Sequence, residues 1–103
     1  MSRPARTGGG PETLSTMSDL DARFEAAAAA VIALPNPPDN QTKLRLYGLY
    51  KQATQGDAGG NRPGFANPVG RAKHDAWAAV AGASPDDAKT GYVALVDELL
   101  ANP

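Results

Sequence analysis

Ser84-Pro85-Asp86-Asp87-Ala88-Lys89-Thr90-Gly91-Tyr92-Val93-Ala94-Leu95-Val96-Asp97-Glu98-Leu99 reads as one complete helix. Ser84 supplies a capping hydroxyl and Pro85 fits the first turn, where no backbone donor is needed. Asp86 and Asp87 sit where the positive end of the helix favours acids. Ala88, Tyr92, Leu95 or Val96, and Leu99 then recur at three and four residues, which places them on one face.

The same reading extends through the chain. Ser18 with Asp21 resembles a capping pair, and Leu20, Phe24, Ala27, Val31 and Leu34 form one apolar stripe that ends at Pro35. Asp39 can cap a second helix carrying Leu44, Leu46, Leu49 and Ala53, which stops near Gly56. Asn67-Pro68 starts a third, carrying Ala72, Ala76, Trp77 and Val80 and closed by Gly82. No segment alternates apolar and polar residues in the manner of a strand. Four modest helices with one stripe each must bury those stripes against one another, so the expected class is all-α and the architecture a four-helix bundle. Its domain spans 18–103, behind a leader at 1–17 whose Gly, Pro, Ser and Thr content predicts disorder. The loop from Gln55 to Asn67 is long for a small bundle, a length associated with mobility or function.

Composition narrows the function. The 103 residues contain no Cys, so neither disulfides nor thiolate metal sites hold the chain together. The longest apolar run, Ala26 to Leu34, falls well short of the roughly 20 residues that cross a bilayer. The N-terminus lacks the apolar stretch of a secretory signal, and the expected location is the cytoplasm. Between Lys43 and Lys73 lie six cations, Lys43, Arg45, Lys51, Arg62, Arg71 and Lys73, against Asp57 alone, while the formal charge of the whole chain is −1. A local cationic field within an acidic protein suits one polyanionic ligand rather than a nucleic acid spread over the surface.

Tyr47 and Lys51 are four residues apart with Lys43 a turn earlier, so a phenol and ammonium groups project along one side of the second helix, with Tyr50 beside them. Phenolic rings can stack on a purine while hydroxyl and ammonium groups donate to phosphate. These residues equally fit tyrosines that close a core and lysines that solvate a helix. Lys73 and Arg71 add donors from the third helix, Arg62 reads as a turn residue holding carbonyls or Asp57, and Trp77 reads as core. His74 beside Asp75 is no catalytic pair, because adjacent helical residues point about 100° apart and no nucleophile accompanies them. No metal-ligand set and no phosphate-loop pattern is present.

The string Tyr-x-x-Tyr-Lys-Gln-Ala-Thr-x-Gly-Asp at 47–57, Arg-Pro-Gly at 62–64, Lys-x-Asp-Ala-Trp at 73–77 and Tyr92 closely resembles the acyl-CoA-binding protein family, over about residues 18–100. The resemblance implies a four-helix protein of that type that binds long-chain fatty acyl-CoA without chemical change. It implies no catalytic residue, no metal and no cofactor besides the ligand. Tyr47, Tyr50 and Tyr92 would contact adenine and nearby polar groups, Lys51 and Lys73 the 3′-phosphate, and an apolar groove the acyl chain. Ala28, Ile32, Lys43 and His74 are further expected ligand-lining positions. Two of them depart from the family pattern: His74 stands where many members have tryptophan, and Ile32 where many have lysine. The expected partners are the acyl-CoA and, transiently, enzymes that use it, for a monomer with no stable membrane insertion and no nucleic acid. The alternative is a small helical nucleic-acid-binding or protein-interaction module.

Overall fold

In the computed structural model residues 18–102 are described, so the leader expected at 1–17 lies outside the described residues. Four helices follow in order: α1 Asp19–Ile32, α2 Asn40–Gln55, α3 Pro68–Ala78 and α4 Pro85–Ala101. Every anticipated N-terminal cap is made. Ser18 Oγ accepts from the Asp21 amide at 3.1 Å, and an Asp39 carboxylate oxygen from Thr42 at 2.8 Å. The Asn67 side chain accepts from Gly70 and Ser84 Oγ from Asp87, both at 3.0 Å. Each such bond satisfies a backbone donor that the helix itself leaves unpaired, typically worth about 1 kcal/mol.

Two helix ends differ from expectation. α1 stops at Ile32 and leaves Leu34 in the following turn, because Pro35 disfavours helical backbone at the residue before it. α3 ends at Ala78, before Val80, and Gly82 comes four residues later at φ 90°. Gly82 therefore shapes the turn between α3 and α4.

The helices pack in three pairs: α1 on α4, α4 on α2, and α2 on α3. Named contacts give their directions. Asp21 pairs with Lys89 and Phe24 meets Tyr92, so α1 and α4 run parallel. One groove joins Asn40 and Leu44 to Pro68 and Ala72, while Lys51 reaches Trp77, so α2 and α3 are parallel too. A parallel pair needs a connection that travels back along the helices. At 1.5 Å per helical residue and about 3.3 Å per extended one, the long segment between Gln55 and Pro68 is sized for that return.

The buried core, Phe24, Ala27, Leu46, Ala53, Ala88, Tyr92, Leu95 and Val96, comes from α1, α2 and α4. α3 contributes no fully buried residue and forms an outer layer on α2. Its close approach depends on Gly48, which is buried and where a Cβ would collide with the Ala76 carbonyl. Gly48→Ala must push α3 away from α2, so we expect a loss of about 1 to 3 kcal/mol and a Tm lower by several degrees, measured by thermal unfolding followed by circular dichroism.

Gln52, only 1% exposed, ties the far ends of the elements together. Its amide donates to Asp57 Oδ1 and to the Ala83 carbonyl, both at 2.8 Å, while the Gly82 amide donates to the same Asp57 oxygen at 2.9 Å. The Gly82 amide first, and Gln52 second, hold the Asp57 carboxyl below the ordinary aspartate value. A folded carboxyl that binds protons less readily than the unfolded one adds stability that is complete above the unfolded value and is lost as pH falls through the folded one. Acid unfolding of Asp57→Asn should accordingly show a shallower loss of stability below about pH 4 than the parent protein. Parallel acid profiles would mean that these bonds do not favour the charged form.

Candidate functional site

Helix α2 sets the site because its 3.6-residue repeat brings Lys43, Tyr47 and Lys51 onto one side. The α3 helix, held close at Gly48, adds Lys73 and Trp77. Lys51 Nζ lies 5.0 Å from the Trp77 ring centroid and 5.9 Å from that of Tyr47, and Lys73 Nζ lies 5.5 Å from the same Tyr47 ring. Two ammonium groups thus converge on one phenol. The ion pairs among the described residues join Arg62 to Asp75 and Lys89 to Asp21, so neither Lys51 nor Lys73 has a carboxylate partner there. Like charges held this close favour an anion placed between them, and the aromatic faces satisfy the cations only in part.

A second group of rings adjoins the first on α2. Tyr50, 42% exposed, stacks on Phe24 with centroids 5.5 Å apart and planes at 23°. Tyr92 meets Phe24 edge-on at 5.1 Å and Tyr50 at 6.0 Å. Tyr92 is itself buried, so it props Tyr50 from the core side. Burial, and then the neighbouring Tyr50, push the Tyr92 hydroxyl above the usual phenol value, keeping it neutral and able to donate at physiological pH. A hollow of about 450 Å³ lies beside this stack, walled by Phe24, Tyr50, Glu25 and Thr54 among others.

The third part is a groove between the first turns of α2 and α3, about 380 Å³ in volume and lined by Asn40, Lys43, Leu44, Pro68, Val69, Ala72 and Lys73. Lys73 belongs both to this groove and to the cation pair on Tyr47. An apolar trough therefore begins where the anion-attracting cluster ends.

The site residues expected from sequence fall into three sets. Tyr47, Lys51 and Lys73 come together, with Lys43 in the adjoining groove. Tyr50 and Tyr92 meet in the neighbouring ring cluster. Ala28, Ile32 and His74 do not line the groove: Ala28 packs half-buried against the core, Ile32 is 85% exposed at the end of α1, and His74 is half-buried with neither ring nitrogen hydrogen-bonded to protein. Arg62 does not hold Asp57; it makes a two-pronged bond to Asp75 at 2.7 Å per contact. The hydrogen bonds from Arg62 keep Asp75 below the ordinary aspartate value against the burial that would raise it. Trp77 is half-buried rather than core, and its indole donates to the Gly56 carbonyl at 2.7 Å, fastening the long loop to α3.

Sequence reasoning missed Phe24 as the support of Tyr50, and Leu44, Pro68, Val69 and Ala72 as groove walls. Leu44 and Ala72 had been assigned to apolar stripes, and nothing local shows that they would face a shared opening. Among the described residues, no group of three or more His, Asp or Glu side chains is placed to hold a metal ion.

Known proteins resemble this chain in sequence and in fold. Residues 21–96 match the family model described as acyl CoA binding protein. The chain is 47% identical over 78 residues to an acyl-CoA-binding protein of Saccharomyces cerevisiae, covering 76% of this chain and 90% of the relative. It is 46% identical over 78 residues to acyl-CoA-binding protein homolog 1 of Caenorhabditis elegans, covering 76% and 91%. The crystal structure of Oryza sativa acyl-CoA-binding protein 2 superposes with a TM-score of 0.76 at 45% identity, covering 80% of this chain and 91% of that one. The solution structure of the yeast acyl coenzyme A binding protein gives a TM-score of 0.61 at 47% identity, covering 76% and 91%. With most of its length matched by the family model and by relatives nearly half identical to it, the chain belongs to the acyl-CoA-binding protein family.

Proposed function

We propose that this protein binds long-chain fatty acyl-CoA esters without altering them and carries them through the cytoplasm as a monomer, meeting acyl-CoA-using enzymes only transiently. The observation that carries this reading is the continuity at Lys73, where a pair of carboxylate-free ammonium groups over Tyr47 opens into the apolar groove of α2 and α3. Acyl-CoA has the matching polarity, with a polyanionic nucleotide at one end and a hydrocarbon tail at the other.

In this reading Lys51 and Lys73 donate to the 3′-phosphate, a group carrying roughly −1.5 to −2 charges at neutral pH. Tyr47 adds its hydroxyl, and Tyr50, backed by Phe24 and Tyr92, offers an aromatic surface to the adenine. The tail lies against Leu44, Pro68, Val69 and Ala72, where each buried methylene contributes up to about 0.8 kcal/mol. Lys43 stands at the groove with a long aliphatic stem that can lie along the tail while its ammonium stays in water.

Lys51→Ala and Lys73→Ala should each weaken palmitoyl-CoA binding by about 1 to 3 kcal/mol in isothermal titration calorimetry. Unchanged affinity in both variants would remove the phosphate assignment. Because Trp77 lies under Lys51, its fluorescence should respond to the same titration. A series from acetyl-CoA to palmitoyl-CoA tests the groove separately: affinity should climb with chain length, by no more than about 0.8 kcal/mol per methylene. Equal binding of the shortest and longest esters would show that the tail is not held.

A further inference from the structure

Leu44 lines two openings at once. It forms part of the groove between the first turns of α2 and α3, and part of a second pocket of about 290 Å³ further along the same pair of helices. Leu49 from α2 wall this second pocket together with Ala76, Ala79 and Val80 from the end of α3 and the turn after it, while exposed Gln41 and Arg45 are its polar members. None of Tyr47, Lys51 and Lys73 takes part in it.

The partition between the two spaces is thin. Leu44 stands one helical turn before Gly48, on the line along which α2 touches α3. The nearest α3 residues in the two openings carry only a methyl group, Ala72 in the first and Ala76 in the second. Leu49 packs on the buried core and lies against Gly91 of α4, so the wall of the second pocket is fixed. Leu44 is half-buried and, among the described residues, packs on none of that core. Its side chain can therefore change rotamer without disturbing the bundle, and rotation away from α3 joins the two spaces.

Capacity gives the join a use. At roughly 30 Å³ per methylene, close to the share of one water molecule in the liquid, the first groove holds about a dozen methylenes and the second pocket about ten more. A lauroyl tail fills the first groove, whereas a behenoyl tail, nearly twice as long, overruns it. We infer that the second pocket receives the far end of very long acyl tails, with Leu44 as the residue they displace to enter. This rests on the acyl-CoA reading above and deepens it: Leu44 and the space behind it set the longest tail that the protein shelters from water. Continuity through Leu44 selects the tail of the same ligand as occupant, and the apolar walls of Leu49, Ala76, Ala79 and Val80 suit a hydrocarbon.

Titration calorimetry of the full chain with lauroyl-CoA and behenoyl-CoA, in the parent and in Ala79→Trp, tests the inference. Ala79 is exposed, so the new ring occupies the second pocket without entering the core, and thermal unfolding should match the parent. Ala79→Trp should weaken behenoyl-CoA binding about tenfold or more, through the methylenes returned to water, and leave lauroyl-CoA binding unchanged. Isotope-filtered NMR of the parent complexes supplies an independent readout: the terminal methyl of the behenoyl tail should show cross-relaxation with the Leu49 and Val80 methyls, and that of the lauroyl tail with Val69. Failure of the parent to bind lauroyl-CoA would sink the carrier reading and this inference with it. Tight lauroyl-CoA binding combined with a behenoyl methyl that reaches neither Leu49 nor Val80, or with an Ala79→Trp variant that treats both esters alike, would overturn this inference alone.

Discussion

The contact between Gly48 and the Ala76 backbone governs the arrangement of the tyrosine and lysine surface shared by α2 and α3. Only because α3 rests directly on α2 does Lys73 reach Tyr47, does Trp77 pass beneath Lys51, and does a groove open between the first turns of the two helices. A side chain at that point would separate the helices and spread the cations apart. The parallel direction matters as much, since an antiparallel α3 would carry its lysine to the opposite end of α2.

The buried core and the cationic face occupy different parts of the molecule. The buried core joins α1, α2 and α4, and α3 adds no fully buried residue to it. Besides its packing along α2, α3 is fixed by a small number of directed contacts: the indole of Trp77 on the Gly56 carbonyl, the fork of Arg62 on Asp75, and the Asp57 carboxylate shared between Gln52 and the turn before α4. A helix in the outer layer can present lysines without burying their charges, which avoids the large desolvation cost of cations placed in a core. The acidic balance of the remaining helices keeps the cationic field local to one part of a near-neutral protein.

Within the ring cluster, core and surface roles overlap. Phe24 is buried, yet it holds Tyr50 in position from below, and Tyr92 closes the same stack from α4. Substitutions at Phe24 or Tyr92 would therefore disturb packing and the orientation of Tyr50 together.

Helix positions, their caps and their apolar stripes were legible in the chain because those signals act over three or four residues: Ser18, Asp39, Asn67 and Ser84 each cap the helix that follows them. The charge imbalance was equally legible, being a matter of counting, and the motif from Tyr47 to Asp57 with Lys73 and Trp77 pointed to the family that the comparisons show. Local signals say nothing about which helix lies beside which. That α2 and α3 run parallel, that Arg62 chooses Asp75 over Asp57, that Tyr92 supports Tyr50 from the core, and that Ile32 stands free at the end of α1 all follow from packing between segments distant in sequence. Such contacts depend on the fit of whole surfaces, here on the space left at Gly48, and no spacing rule along one helix contains that information.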